Sequence, residues 1–178
     1  MALILIILLS PLIILLSIVV KVTSKGPILY WSNRVGKDNK LFMMPKYRTM
    51  TIDTPAMATH LLKNPQSFYT PFGKFLRQSS LDEIPQLISI IRSEMKFIGP
   101  RPALFNQSDL IKLRTEKGIQ KLKPGVTGWA QINGRDDISI EEKVKLDYEY
   151  LNNMSLRNDI SILWNTVIKV VKKDSITH

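Results

Sequence analysis

The sequence predicts an α+β protein, mostly helical, with an apolar N-terminal segment followed by a compact remainder. Three observations point there. Met1 to Val20 carries no charge, whereas the chain beyond it is charged and broken by Pro and Gly. Three later stretches repeat apolar residues at helical spacing. Between residues 28 and 44, short extended pieces alternate with turn residues, the pattern of a hairpin. At 178 residues without an internal repeat, the chain is one domain's worth of polypeptide, divided at residues 22 and 23 into a membrane segment and a folded body.

The opening run has the length of a bilayer core, since twenty helical residues rise about 30 Å. No basic residue precedes it, and Lys21-Val22-Thr23-Ser24-Lys25 follows it, which is not the layout of a cleaved signal. Pro11 lacks the N–H that a helix needs at its middle, so a break or kink is expected at Ser10-Pro11. The segment can then cross the membrane or fold back with both ends on one face. Lys21, Lys25, Arg34 and Lys37 predict that the following domain is cytoplasmic.

Ile28–Trp31 and Leu41–Met44 flank Gly36-Lys37-Asp38-Asn39 as two short strands. Met57–Lys63 has the pattern of a helical turn in a polar loop. The stretch 80–95 reads as the clearest helix, with Ile84, Leu87, Ile88, Ile91 and Met95 on one face. Ser80 and Glu83 have capping-box spacing, and Pro85 is tolerated only in a first turn, so Asp82 and Glu83 fall at a helix start. Gly99-Pro100-Arg101-Pro102 is an irregular turn, and Asp109–Lys121 a short helix. A loop-rich passage surrounds Trp129–Ile132. Helices are expected over Ile140–Leu151 and Asp159–Lys173, the latter with Ile160, Leu163, Trp164, Val167 and Val171 on one face. That face suits either the core or an anionic lipid surface.

Composition narrows the chemistry. There is no cysteine and there are only two histidines, which excludes a thiol nucleophile, a disulfide scaffold and a Cys or multi-His metal site. A metal would have to bind through oxygen. Lys+Arg number 25 against 15 Asp+Glu, a net charge of +10. Two adjacent carboxylates at a helix start are often only capping residues. Here Lys46, Arg48, Arg77 and Arg101 lie in short motifs bounded by Pro, Gly or turn residues, and cations near a helix start make a site for phosphate. One carboxylate can attack phosphorus while the other helps hold a divalent ion. Asp147 shares the apolar face of its helix with Val144 and Leu151, which suits a functional group, a supporting group or a charge paired with Lys. A core or interface place suits Trp129 better than base stacking.

Four motifs occur in order: Lys46-Tyr47-Arg48-Thr49-Met50, Ser80 to Leu87, Phe97 to Pro102, and Pro124 to Arg135. In these the chain resembles the bacterial sugar transferase family, monotopic polyprenyl-phosphate glycosyl-1-phosphate transferases, in its small form consisting of the catalytic domain alone. The resemblance implies transfer of a sugar 1-phosphate from a UDP-sugar to undecaprenyl phosphate, with release of UMP, as the first membrane step of glycoconjugate assembly. It implies Asp82 as nucleophile and Glu83 as Mg²⁺ ligand and assistant, with Asp82 beside the ion. Lys46, Arg48, Arg77 and Arg101 would face phosphates. Gln131 and Arg135 would face the nucleotide side, and Asp147 would belong to the binding residues. It also turns the Ser10-Pro11 segment into a re-entrant helix in the bacterial inner membrane, with residues 23–178 as a catalytic domain on its cytoplasmic face. The rival from charge alone is a membrane-tethered basic module for nucleic acid or anionic lipid. Such a module has no use for Asp82-Glu83, so nucleic acid is not expected as a partner. Neither the sugar nor the oligomeric state is readable.

Overall fold

A computed structural model describes residues 1–55, 64–134 and 138–172. The expected turn at Met57–Lys63, Arg135 and Lys173 lie outside the described residues. The chain divides into two compact units, one of Met1–Ser32 and Met44–Ile91, the other of Asn33–Met43 and the described part of Arg92–Ser175. The apolar segment therefore packs as part of the first unit.

Helix α1 (Ala2–Thr23) opens that unit, and it runs through Pro11 without interruption. The expected break is absent for a local reason. Pro11 leaves the carbonyl four residues back, that of Ile7, without its helical donor, and the Ser10 hydroxyl donates to that carbonyl at 2.7 Å. Leu12, Leu16 and Val20, one turn apart, pack on Tyr47 and Leu76. Leu3, Ile4, Ile7, Leu8, Ile14, Leu15, Ile18 and Val22 stay exposed. At 22 residues the helix is long and apolar enough to cross a membrane, about 33 Å by rise.

Strands β1 (Leu29–Val35) and β2 (Leu41–Tyr47) form a two-stranded sheet, longer than the sequence suggested. Asp38 and Asn39 take positive φ in the turn between them, a conformation that Asp and Asn adopt more readily than bulkier residues. Beyond β2 come α2 (Gly73–Gln78), a 3₁₀ turn at Leu81–Gln86 and α3 (Leu87–Ile91). The expected helix thus starts as 3₁₀ and ends at Ile91, short of Met95. Pro85 cannot supply an α-helical N–H to Leu81, which accounts for the tighter start. The capping box is also absent: Ser80 takes φ 56°, and its side chain makes no cap.

In the second unit, β3 (Lys96–Ile98) and β4 (Gly125–Thr127) pair in parallel, Lys96 opposite Gly125 and Ile98 opposite Thr127. Around them lie α4 (Ser108–Glu116), α5 (Trp129–Asn133), α6 (Ile140–Asn152) and α7 (Leu156–Lys172). Gly118, at φ 76°, lets the chain leave α4, and the Ser139 hydroxyl caps α6 at the Glu142 N–H. One core cluster joins Ala103, Leu110, Ile119 and Val144, and another joins Ile132, Tyr150 and Ile162. Helix α7 buries Ile162 fully and leaves Ile160, Leu163, Trp164 and Val167 exposed, so the core reading of that face is set aside. The mostly helical α+β class stands.

Candidate active site

Alternation along β2 turns Lys46 and Tyr47 to opposite sides of the strand. On the Lys46 side, its Nζ lies 2.7 Å from Glu83 Oε1 and 3.9 Å from Asp82 Oδ2. Both carboxylates come from the 3₁₀ turn that Ser80 opens. Asp82 is only 4% exposed, and Glu83 and the Lys46 side chain are nearly as enclosed. Two adjacent acids with so little water would repel each other strongly, and the ammonium beside them offsets that cost. Lys46, Asp82 and Glu83 are therefore brought together as expected.

Arg48 and Arg77 belong to the same unit with neighbours of their own. Arg48 Nε donates to the Pro27 carbonyl at 2.8 Å, tying the residue that follows β2 to the segment after α1. Arg77, in the last turn of α2, stacks over the Tyr69 ring with its guanidinium carbon 5.6 Å from the centroid. Gln86, four residues after Asp82, is buried, and among the described residues its Nε2 has no hydrogen-bond partner. Sequence reasoning passed over it.

Arg101, Gln131 and Asp147 lie in the second unit. The turn carrying Arg101 is laced by its own backbone: Gly99 N–H donates to the Thr127 carbonyl and Gly125 N–H to the Pro100 carbonyl. Side chains hold the next two carbonyls, Arg114 Nη1 reaching that of Arg101 at 2.8 Å and Arg34 Nη1 that of Pro102 at 3.1 Å. A Cβ on Gly128 would stand 2.1 Å from the Gly99 carbonyl oxygen, so the two motif segments touch backbone to backbone. Gln131 Nε2 lies 3.5 Å from the Val126 carbonyl, and its Oε1 is buried with no partner among the described residues.

Asp147, expected among the binding residues or as a supporting or paired charge, is paired inside its own unit. It is 1% exposed, and its Oδ2 accepts from Arg114 Nε at 3.0 Å and Nη2 at 2.6 Å. Burial pushes its carboxyl above the ordinary range, while Arg114 and then Lys143 pull it back. Asp147 thus acts on the Arg101 turn through Arg114, which sequence reasoning missed. The signal was present: Arg114 follows Leu110 on the buried face of α4, just as Asp147 follows Val144 on α6. Two opposite charges stranded on apolar faces call for each other.

Mg²⁺ is held by one or two carboxylates with water and substrate phosphates rather than by a protein cage. The hard oxygen donors of Asp82 and Glu83 fit that habit. Among the described residues no larger group of His, Cys, Asp or Glu stands close enough to hold a metal.

The family model described as bacterial sugar transferase matches residues 1–173. The uncharacterized sugar transferase EpsL of Bacillus subtilis is 38% identical over 160 residues, covering 89% of this chain and 77% of EpsL. The UDP-glucose:undecaprenyl-phosphate glucose-1-phosphate transferase of Escherichia coli is 34% identical over 177 residues, covering 95% of this chain but 38% of the enzyme. The undecaprenyl-phosphate galactose phosphotransferase of Salmonella typhimurium is 33% identical over 164 residues, 84% of this chain and 34% of that protein. The chain thus spans about a third of the length of these two larger relatives.

Proposed function

Since the chain belongs to the bacterial sugar transferase family, we propose that it transfers a sugar 1-phosphate from a UDP-sugar to undecaprenyl phosphate, the opening membrane step of a polysaccharide or other glycoconjugate. The observation that carries this reading is the enclosed trio of Lys46, Asp82 and Glu83. A basic module for nucleic acid has no reason to bury two carboxylates against a lysine.

In the first step an Asp82 carboxylate oxygen attacks the phosphorus that bears the sugar. A P–O bond forms, the bond to the UMP oxygen breaks, and UMP leaves with the bonding electron pair. In the second step a phosphate oxygen of undecaprenyl phosphate attacks that phosphorus and breaks its bond to Asp82. The carboxylate returns, and undecaprenyl-diphospho-sugar is the product. Lys46 holds the two acids in place and offsets their charge, since its ammonium bonds Glu83 and stands close to Asp82. Glu83, with Asp82 beside it, would hold Mg²⁺, which when bound neutralises phosphate charge. Arg48, Arg77 and Arg101 supply cations for the substrate phosphates, with Gln131 and Arg135 on the nucleotide side. Helix α1 is the membrane foot, its exposed apolar side chains entering the inner membrane while the catalytic domain stays on the cytoplasmic face.

The test is UMP release by the full chain in lipid nanodiscs, with UDP-glucose and UDP-galactose as first donors and N-acetylated UDP-hexoses next. Release should require both Mg²⁺ and undecaprenyl phosphate, and labelled sugar phosphate should be trapped on the protein when acceptor is withheld. Asp82→Asn should abolish both signals. Full turnover by that variant would eliminate Asp82 as nucleophile.

A further inference from the structure

Tyr47, next to Lys46 on β2, has no part in the chemistry above. It is 2% exposed, and its ring packs on Leu16, Val20 and Leu76. Its hydroxyl donates to the Ile13 carbonyl of α1 at 2.9 Å. The Ser17 hydroxyl donates to the same carbonyl at 2.7 Å and lies 3.2 Å from the Tyr47 oxygen. Each hydroxyl has one proton, so the direct Ser17–Tyr47 contact gives way when both point at Ile13. A phenylalanine would fill this space without the cost of burying a hydroxyl, and a buried hydroxyl stays only where it has a partner. Burial raises the Tyr47 pKa above its ordinary value, so the group remains a protonated donor at physiological pH.

The accepting carbonyl lies two residues beyond Pro11, where α1 has just lost a backbone bond. One strand step, about 3.3 Å, separates this anchor from Lys46. The apolar helix and the cation that faces Asp82 and Glu83 are therefore fastened to the same piece of β2. We propose that Tyr47 is a positioning residue that locks α1 to β2 and so sets the depth at which the Lys46–Glu83–Asp82 trio meets a lipid-borne phosphate acceptor. The acceptor half rests on the reading under Proposed function. A nucleotide donor arriving from water is indifferent to that depth, whereas a phosphate fixed at the bilayer surface is not.

Tyr47→Phe tests this in the full chain, in nanodiscs of phosphatidylethanolamine and phosphatidylglycerol. The chain has no native cysteine, so spin labels at Leu3→Cys and Phe75→Cys, both exposed positions of the first unit, report the spacing of α1 and α2. The variant should broaden that distance distribution. It should also raise KM for undecaprenyl phosphate roughly fivefold, the fold-change of one lost hydrogen bond, while KM for the UDP-sugar stays within about twofold of the parent. Ser17→Ala, which leaves the Tyr47 bond in place, should match the parent in both measurements. An unchanged distribution for Tyr47→Phe, or an equal rise in both KM values, would overturn the lock. So would Ser17→Ala reproducing the Tyr47→Phe behaviour. A broadened distribution in a chain whose parent transfers no sugar phosphate would uphold the lock and remove the acceptor half along with the reading beneath it.

Discussion

Breaking the Arg114–Asp147 pair from one side should do two separable things. Asp147→Ala leaves the Arg114 guanidinium buried, with Nε and Nη2 robbed of an acceptor that stood at 3.0 and 2.6 Å. Removing one partner of such a pair costs about 3–5 kcal/mol, and in a unit of this size that lowers Tm by at least about 10 °C. The second effect runs through Nη1, which now holds the Arg101 carbonyl at 2.8 Å. Once its counter-ion is gone, the guanidinium turns toward water and the Arg101 turn loses that donor. The double variant Asp147→Leu/Arg114→Met separates the effects, because apolar residues of similar volume replace a buried pair at little or no cost. It should unfold near the parental temperature yet still lack the donor to Arg101, leaving kcat/KM for the UDP-sugar about tenfold down, the equivalent of one charged hydrogen bond. Thermal unfolding followed by circular dichroism, with UMP release on the same preparations, provides both readings. An Asp147→Ala protein that melts with the parent would refute the pair's contribution to stability. A double variant with parental turnover would refute its hold on the Arg101 turn.

In α1, Ser10→Ala should destabilise, and Pro11→Ala in the same chain should repair it by returning an N–H to the Ile7 carbonyl. A double-mutant cycle should give a coupling of about 1 kcal/mol, and independent effects would rule out Ser10 as the compensating donor. Gly128→Ala places a Cβ 2.1 Å from the Gly99 carbonyl and should cost at least about 2 kcal/mol, more than Gly118→Ala, where nothing stands nearby and only the positive φ resists; equal costs would show that the two segments are not in contact. At alkaline pH, burial and Asp159 raise the Tyr150 pKa well above its ordinary value. The unfolded chain then loses its tyrosine protons first, so this contribution is intact below about pH 10 and is lost as pH rises through the folded value. Tyr150→Phe should flatten the alkaline limb of the stability curve, and Tyr47→Phe, whose pKa shifts in the same direction, should flatten it further; a limb unchanged in both variants would count against the shifts.

What could be read from the chain was what neighbouring residues decide. Asp82-Glu83 and their lysine were legible because charged residues in a fixed local spacing declare their chemistry wherever the backbone takes them. The helices over Ile140–Asn152 and Leu156–Lys172 were legible because packing selects apolar residues one turn apart. The start of the 80–95 helix was misjudged, since Ser80 and Glu83 have the spacing of a cap, but Glu83 is taken by Lys46 instead. Nothing in the local sequence weighs an ion pair 37 residues distant against a cap. The same holds for the parallel pairing of Lys96–Ile98 with Gly125–Thr127, strands too short to show any alternation. Most instructive are the passages read as loops. Gly99-Pro100-Arg101-Pro102 and Pro124 to Gly128 carry Pro and Gly, which in a single sequence signal turns and freedom. In the structure their glycines serve close approach, with the backbone of one segment where a side chain of the other would otherwise stand. Three consecutive carbonyls, from Pro100 to Pro102, are each held by a donor. The turn that presents Arg101 is thus fastened along its backbone by donors from Gly125, Arg114 and Arg34, all distant in sequence, which is why Pro and Gly read locally as freedom where the fold imposes a fixed shape.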